Sequence, residues 1–197
     1  MTRYRPLSHH HLRPDTRLSV FDNGLSTPVT MDDNALKVMT DLRRVPAAST
    51  HPEVSIDAAM QKMIHVGVRL LFVQDDYGVV VGIITARDIL GERPVQVSAD
   101  KKIPRDRVLV EDIMTRRGRI EVLDYAEVAR STVGDIVATL KEVGRQHALV
   151  EGEGGAPEIR GIFSISQIGR QLGVKIETTG TAQTFAELEK FLTQDDH

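Results

Sequence analysis

The sequence predicts a duplicated α/β (α+β) fold, two pseudo-symmetric repeats that each run strand, helix, strand, strand, helix, and three observations support that prediction. Residues 54–73 (VSIDAAMQKMIHVGVRLLFV) and 131–150 (STVGDIVATLKEVGRQHALV) are versions of one twenty-residue stretch, with Gly67 and Gly144, and Val73 and Val150, each 77 positions apart. Both stretches lead through a turn to a second short motif, Gly82-Ile-Ile-Thr-Ala-Arg-Asp88 in the first copy and Gly161-Ile-Phe-Ser-Ile-Ser-Gln167 in the second. Both are preceded by a Met-Thr step, Val38-Met39-Thr40 and Ile113-Met114-Thr115.

Taken in chain order, residues 1–28 are polar and basic with turn signals at Pro6, Pro14, Asn23-Gly24 and Pro28, and are expected to form an irregular arm. Residues 29–91 are the first repeat with its lead-in. Thr30-x-x-Asp33 starts a short helix with Ala35, Leu36 and Met39 on one face. Val45 to Thr50 is a strand, and Ser55 caps a helix that turns Ala59, Met60, Met63 and Ile64 inward until Gly67 ends it. Val68 to Gln74 and Val79 to Ile84 form a hairpin about Asp75-Asp76-Tyr77-Gly78. Thr85 then caps a second helix that Gly91 stops.

Residues 92–110, with Pro94, Lys101-Lys102 and Pro104, read as a polar linker. The second repeat, 111–173, follows the same order. Ile120 to Leu123 is its strand, and Thr132-x-x-Asp135 caps a helix with Ile136, Val137, Leu140 and Val143 inward and Gly144 at its end. Arg145 to Val150 and Glu158 to Phe163 form the hairpin, and Ser164-x-x-Gln167 opens the last helix as a capping box. In the extension, 174–197, Val174 to Thr178 is expected as a strand. Thr184-x-x-Glu187 there begins an amphipathic helix whose stripe, Phe185, Leu188, Phe191 and Leu192, needs covering by the body or a second chain.

Composition narrows the function. With 41% apolar and 27% charged residues the chain has the balance of a globular protein, and with 4% aromatics and no Trp its core must be aliphatic. A net charge of −3 gives no global attraction to nucleic acid. The absence of cysteine excludes disulfides, thiolate metal sites and cysteine nucleophiles. No signal-peptide pattern or membrane-length apolar run is present, so a cytoplasmic location with no membrane partner is expected. There is no P-loop, HExxH or GxSxG, and no catalytic residue is assigned.

The motif set, a strand-helix-strand-strand-helix repeat entered by Met-Thr and closed by Gly-h-h-Thr-x-x-Asp with h apolar, resembles the cystathionine-β-synthase (CBS) domain. Two in tandem resemble the CBS pair, or Bateman module, and the likeness covers roughly residues 36–173. It implies two repeats packed sheet to sheet about a pseudo-twofold axis, with clefts between them that often bind AMP, ADP, ATP or S-adenosylmethionine. It implies regulation of a protein partner rather than catalysis, no required cofactor, and a homodimer.

The residues make such a cleft chemically sensible. Adenine needs flat apolar walls, which short β-branched strands supply. A carboxylate can accept a charge-assisted hydrogen bond from each ribose hydroxyl, and Asp88 matches that role. Thr85 can offer its hydroxyl to a phosphate at a helix start, with Arg87 adding charge. Thr85-x-x-Asp88 reads equally as a capping box. In the second repeat Gln167 replaces the acid, so bonds there would be neutral, and that cleft is expected to be weaker, differently selective or empty, with Ser164 as its candidate.

In nucleotide-binding members of the family, basic residues at the start of the strand after the first helix face the phosphates. The matching positions are Arg69-Leu70 and Gln146-His147, which makes Arg69 and His147 candidates for a shared phosphate region; the alternatives are a surface arginine and a satisfied histidine. His9-His10-His11 sits in the arm without fixed geometry, and no metal site is assigned. Arg116, Arg117 and Arg119 form a basic turn before the second repeat, read as solvent-facing, with assistance to an anionic ligand or an acidic partner as the alternative. A non-catalytic dimeric scaffold with empty or degenerate clefts is the alternative to ligand sensing.

Overall fold

The computed structural model describes residue 11, residues 27–155 and residues 157–176. Most of the expected arm, His9 and His10 included, and the amphipathic helix from Thr184 lie outside the described residues. The described part is two four-stranded sheets packed against each other, each backed by helices. The first sheet has the order β2-β3-β4-β5, from Ser49–Thr50, Leu70–Gln74, Val80–Thr85 and Thr115–Arg116. The second has the order β1-β8-β7-β6, from Thr40–Asp41, Ile159–Ser164, His147–Glu151 and Val122–Asp124.

The repeat is kept in the first helix and the hairpin of each unit. Helix α1 (Ile56–Val66) is capped by Ser55, whose oxygen accepts from the Ala58 N–H at 3.2 Å, and ends at Gly67 with φ +76°. Its counterpart α6 (Val133–Glu142) is capped by Thr132 in a reciprocal box with Asp135, and Gly144 follows with φ +62°. Both hairpins, β3-β4 and β7-β8, carry an irregularity at the same point, Val73/Gln74 and Val150/Glu151. In each repeat the inner strand is buried on both faces, which is why LLFV and ALV read as continuous rather than alternating runs.

Alternate residues of these strands serve different cores. Leu71 and Val73 join Ile56, Met60 and Met63 beneath the helices of the first unit, and Val150 and Phe163 join Ile136 and Leu140 beneath those of the second. Leu70, Phe72 and Leu149 point the other way and meet between the sheets, with Ile83 and Ile162 beside them. The seam of the fold is therefore apolar, and the clefts open along it.

The lead-ins are exchanged. Thr40–Asp41, which precede the first repeat, pair antiparallel with β8 of the second, while Thr115–Arg116, which precede the second, pair with β4 of the first. The isolated bridges Asn34–Thr132 and Ser55–Leu109 repeat the exchange at the caps of α6 and α1. Ala35, Val38 and Met39 accordingly sit in the second core, and Val110, Ile113 and Met114 in the first.

Several expectations need correction. The Thr30/Asp33 pair forms, with the Thr30 N–H donating to Asp33 Oδ2 at 2.7 Å, but only a single 3-10 turn, Ala35–Val38, follows, and Asn34 caps it. The strand expected over Val45 to Thr50 shrinks to two residues, since Pro46 has no N–H to give a ladder. The strand expected over Ile120 to Leu123 is displaced to Val122–Asp124. Val143 is 49% exposed, lying past the last helical residue rather than on the inward face.

The segment expected as a linker, which follows α2 (Ala86–Leu90), is folded into α3 (Arg93–Lys101), a 3-10 turn at Arg105–Arg107 and the start of α4 (Val110–Ile113). Pro94 stands in the first turn of α3, where a missing N–H costs nothing, and Val108 is fully buried. After α5 (Tyr125–Val128), α6 and α7 (Ile165–Leu172), residues 174–176 form no strand. No helix among the described residues is long and apolar enough to cross a membrane.

Candidate functional site

Two clefts open along the seam, and the repeat relates them. The smaller, about 180 Å³, lies between the end of β4 with α2 and the segment from Gly144 into β7. The larger, about 820 Å³, lies between the end of β8 with α7 and the matching segment from Gly67 into β3. The exchanged lead-ins close them, Thr115 on the smaller and Thr40 on the larger. Leu70 and His147, equivalent in the repeat, line both.

The candidate residues divide between these clefts. Thr85, Arg87 and Asp88 line the smaller, together with His147. Arg69, Ser164 and Gln167 line the larger, again with His147. The two basic positions from opposite repeats, Arg69 and His147, are thus brought to one cleft.

In the smaller cleft the side chains are engaged with one another. Asp88 Oδ2 accepts from the Thr85 N–H at 2.9 Å and from the Thr85 hydroxyl at 2.7 Å, and Asp88 Oδ1 lies 3.5 Å from Arg93 Nη1. The capping box therefore exists, and both carboxylate oxygens have protein partners. Arg87 reaches across the seam, donating to the Gly144 carbonyl at 3.3 Å, and Arg145 pairs with Glu121 at 2.8 Å.

The larger cleft is built differently. Ser164 stands at the N-terminus of α7 but makes no side-chain cap bond, so the capping box expected of Ser164-x-x-Gln167 does not form. The longer Gln167 side chain turns along the helix instead, where its Oε1 accepts from Arg170 Nη2 at 2.6 Å. Burial, and then the like charge of Arg170, push the Arg69 guanidinium below its ordinary pKa. Burial, with the Arg69 charge beside it, pushes His147 down to about 3, so the imidazole is neutral near pH 7. The cleft bearing Gln167, expected to be the poorer one, is the roomier.

Arg170 and Lys175 line the larger cleft, and Arg119, Glu121 and Arg145 the smaller; of these the sequence offers only Arg119, in the basic turn, for an anionic ligand. The offset of 77 could have located Arg145, because it matches Val68 beside Arg69. Lys175 has no such signal, since the chain after Gly91 departs into α3. Of the basic turn at 116–119, only Arg119 lines a cleft.

Comparison with known proteins gives a family match over the first repeat and a likeness of fold over most of the chain. The CBS-domain family model matches residues 28–94, and no curated protein matches the chain. Among solved structures, an uncharacterized conserved protein from Pyrococcus horikoshii is similar at a TM-score of 0.53 and 24% identity, over 77% of this chain and 100% of that one. The CBS-domain containing protein ATU1752 from Agrobacterium tumefaciens gives 0.52 and 22%, over 72% and 94%. Both likenesses are of fold.

Proposed function

We propose, from the match of residues 28–94 to the CBS-domain family model and the fold shared with CBS-domain structures, that this chain is a regulatory module which binds an adenosine-containing ligand, AMP, ADP, ATP or S-adenosylmethionine, between its repeats. The observation that carries the proposal is the larger cleft. Its volume of about 820 Å³ suits a nucleotide, its walls include Leu70, Phe72 and Ile162, and Arg69 and His147 stand at one side. Adenine fits the apolar seam, and phosphate oxygens fit the guanidinium. The smaller cleft, with Asp88, Thr85 and Arg87, is a second and tighter place for the same chemistry.

Occupancy is signalled through the lead-ins. Thr40 lines the larger cleft and belongs to β1, a two-residue strand paired with β8 and held to it further by the Leu42 N–H on the Arg160 carbonyl and by the Arg160–Asp41 ion pair. A ligand can bias the position of that strand by its difference in affinity between the two arrangements, and no further. A homodimer and a protein partner that reads the change complete the proposal.

Isothermal titration of the full chain with the four ligands tests it, and saturable binding of at least one is expected. Absence of both heat and thermal shift with all four would end the proposal. One observation favours the scaffold reading instead: Asp88 is spent on its own helix cap and on Arg93, and Gln167 is neutral. Under that reading Arg69→Ala leaves partner binding unchanged.

A further inference from the structure

Resting on that reading, we infer that the larger cleft takes phosphate-bearing adenosine ligands in preference to the sulfonium S-adenosylmethionine, and that Gly169 and Lys175 build this preference into the chain. The two clefts share a framework but not a charge. The smaller mixes Arg87, Arg119 and Arg145 with Asp88 and Glu121. The larger gathers Arg69, Arg170 and Lys175, puts Gln167 where its counterpart has Asp88, and has no acidic side chain among its described lining residues. Crowding of Arg69 by burial and by the like charge of Arg170 is relieved by an anion and worsened by a cation. A phosphomonoester brings about −2 near neutral pH. In S-adenosylmethionine the carboxylate and ammonium cancel and the sulfonium adds one positive charge to a wall already basic.

Lys175 reaches this cleft by a device with no counterpart in the first repeat. Gly173, at φ +69°, ends α7, and the Val174 N–H then donates back to the Gly169 carbonyl at 2.9 Å. The returning segment crosses α7 so closely that a Cβ on residue 169 would stand 2.7 Å from the Val174 carbonyl oxygen. Ile176 anchors the far side against the second core. Gly169 is thus the residue that lets the chain lie over the helix and hold Lys175 at the cleft. Its equivalent, 79 positions earlier as Gly82 is to Gly161, is Leu90, after which the chain turns away into α3.

The test is titration of the full chain with AMP, ADP, ATP and S-adenosylmethionine at low and high salt, for wild type, Lys175→Glu, Gly169→Ala and the double variant Gly169→Ala/Lys175→Ala. Wild type is expected to bind at least one nucleotide about tenfold or more tighter than S-adenosylmethionine, with the gap shrinking as salt rises. Lys175→Glu, an exposed change that leaves the core untouched, should weaken the nucleotide about tenfold and narrow the gap. Gly169→Ala should weaken it severalfold, and adding Lys175→Ala should cost little more, as expected when one residue acts through the other. S-adenosylmethionine binding as tightly as any nucleotide, or a ratio unmoved by Lys175→Glu, overturns the selectivity and leaves the proposed function standing. Silence from all four ligands overturns both.

Discussion

Met39 lies over Gly161 so closely that a Cβ built on the glycine would come within 2.8 Å of Met39 Cγ, and the repeat reproduces the contact with Met114 over Gly82. These glycines open the Gly-h-h-Thr/Ser motif of each repeat, and what they admit is the methionine of the other repeat's lead-in. At Gly82 the intruding Cβ would also meet the Thr115 backbone carbonyl at 2.8 Å, whereas at Gly161 its near neighbours are all atoms of the flexible Met39 side chain. Gly82→Ala should therefore cost about 1–3 kcal/mol, and Gly161→Ala less, in urea unfolding of the two variants. Equal costs would mean that the lead-in strands yield as easily as a side chain.

The caps differ between the repeats in a way that stability can read. Thr132 accepts from the Asp135 N–H at 3.2 Å, while Ser164 makes no cap bond with its side chain. Thr132→Ala should lose about 1 kcal/mol, and Ser164→Ala should stay within about 0.5 kcal/mol of wild type. Thermal or urea denaturation distinguishes the two outcomes.

Stability should fall as acid is added, in part through His147. Its pKa drops from the ordinary 6.5 to about 3 on folding, so between those values the unfolded chain binds a proton that the folded chain refuses. The contribution is complete above about pH 6.5 and is lost progressively as the pH falls toward 3, with a slope of at most about 1.4 kcal/mol per pH unit. His147→Leu, which installs the residue found at the equivalent position 70, should flatten the pH dependence of the urea midpoint between pH 7 and pH 4. An unchanged profile would show that the imidazole titrates normally in the fold.

Asp88→Ala separates helix capping from ligand contact. The carboxylate accepts two hydrogen bonds from Thr85 and neighbours Arg93, so its loss should cost about 1 kcal/mol of stability. Nucleotide affinity at the larger cleft should stay within about twofold, because Asp88 lines only the smaller one. Arg69→Ala should do the reverse, weakening the nucleotide with little effect on unfolding.

Local signals in the sequence were reliable wherever the structure they specify is itself local. Ser55 and Gly67 bracket α1 as read, Thr132 and Gly144 bracket the second helix, and Asp75 to Gly78 turns the first hairpin with Gly78 at φ +77°. Duplication of the element order was legible for the same reason, since each copy repeats the same caps and apolar positions.

Partner choice was not legible. Thr40–Asp41 and Thr115–Arg116 are two-residue strands, too short to encode which sheet they join, and their exchange is accompanied by methionine-glycine contacts between residues far apart in sequence. Residues 92–110 misled because a helix containing Pro94 and flanked by charge resembles a linker until Val108 and Val110 are seen in the core. Among the cleft residues, Arg69 and His147 came from the family resemblance at positions the repeat aligns, but Lys175 depends on a backbone crossing at Gly169 that no periodicity records.

The most direct measurement is a crystal structure of the full chain grown with ATP or AMP. The account predicts one ligand in the larger cleft, its base against Leu70 and Ile162 and its phosphate beside Arg69. A nucleotide seated only against Asp88 in the smaller cleft, or bound away from the seam altogether, would contradict it.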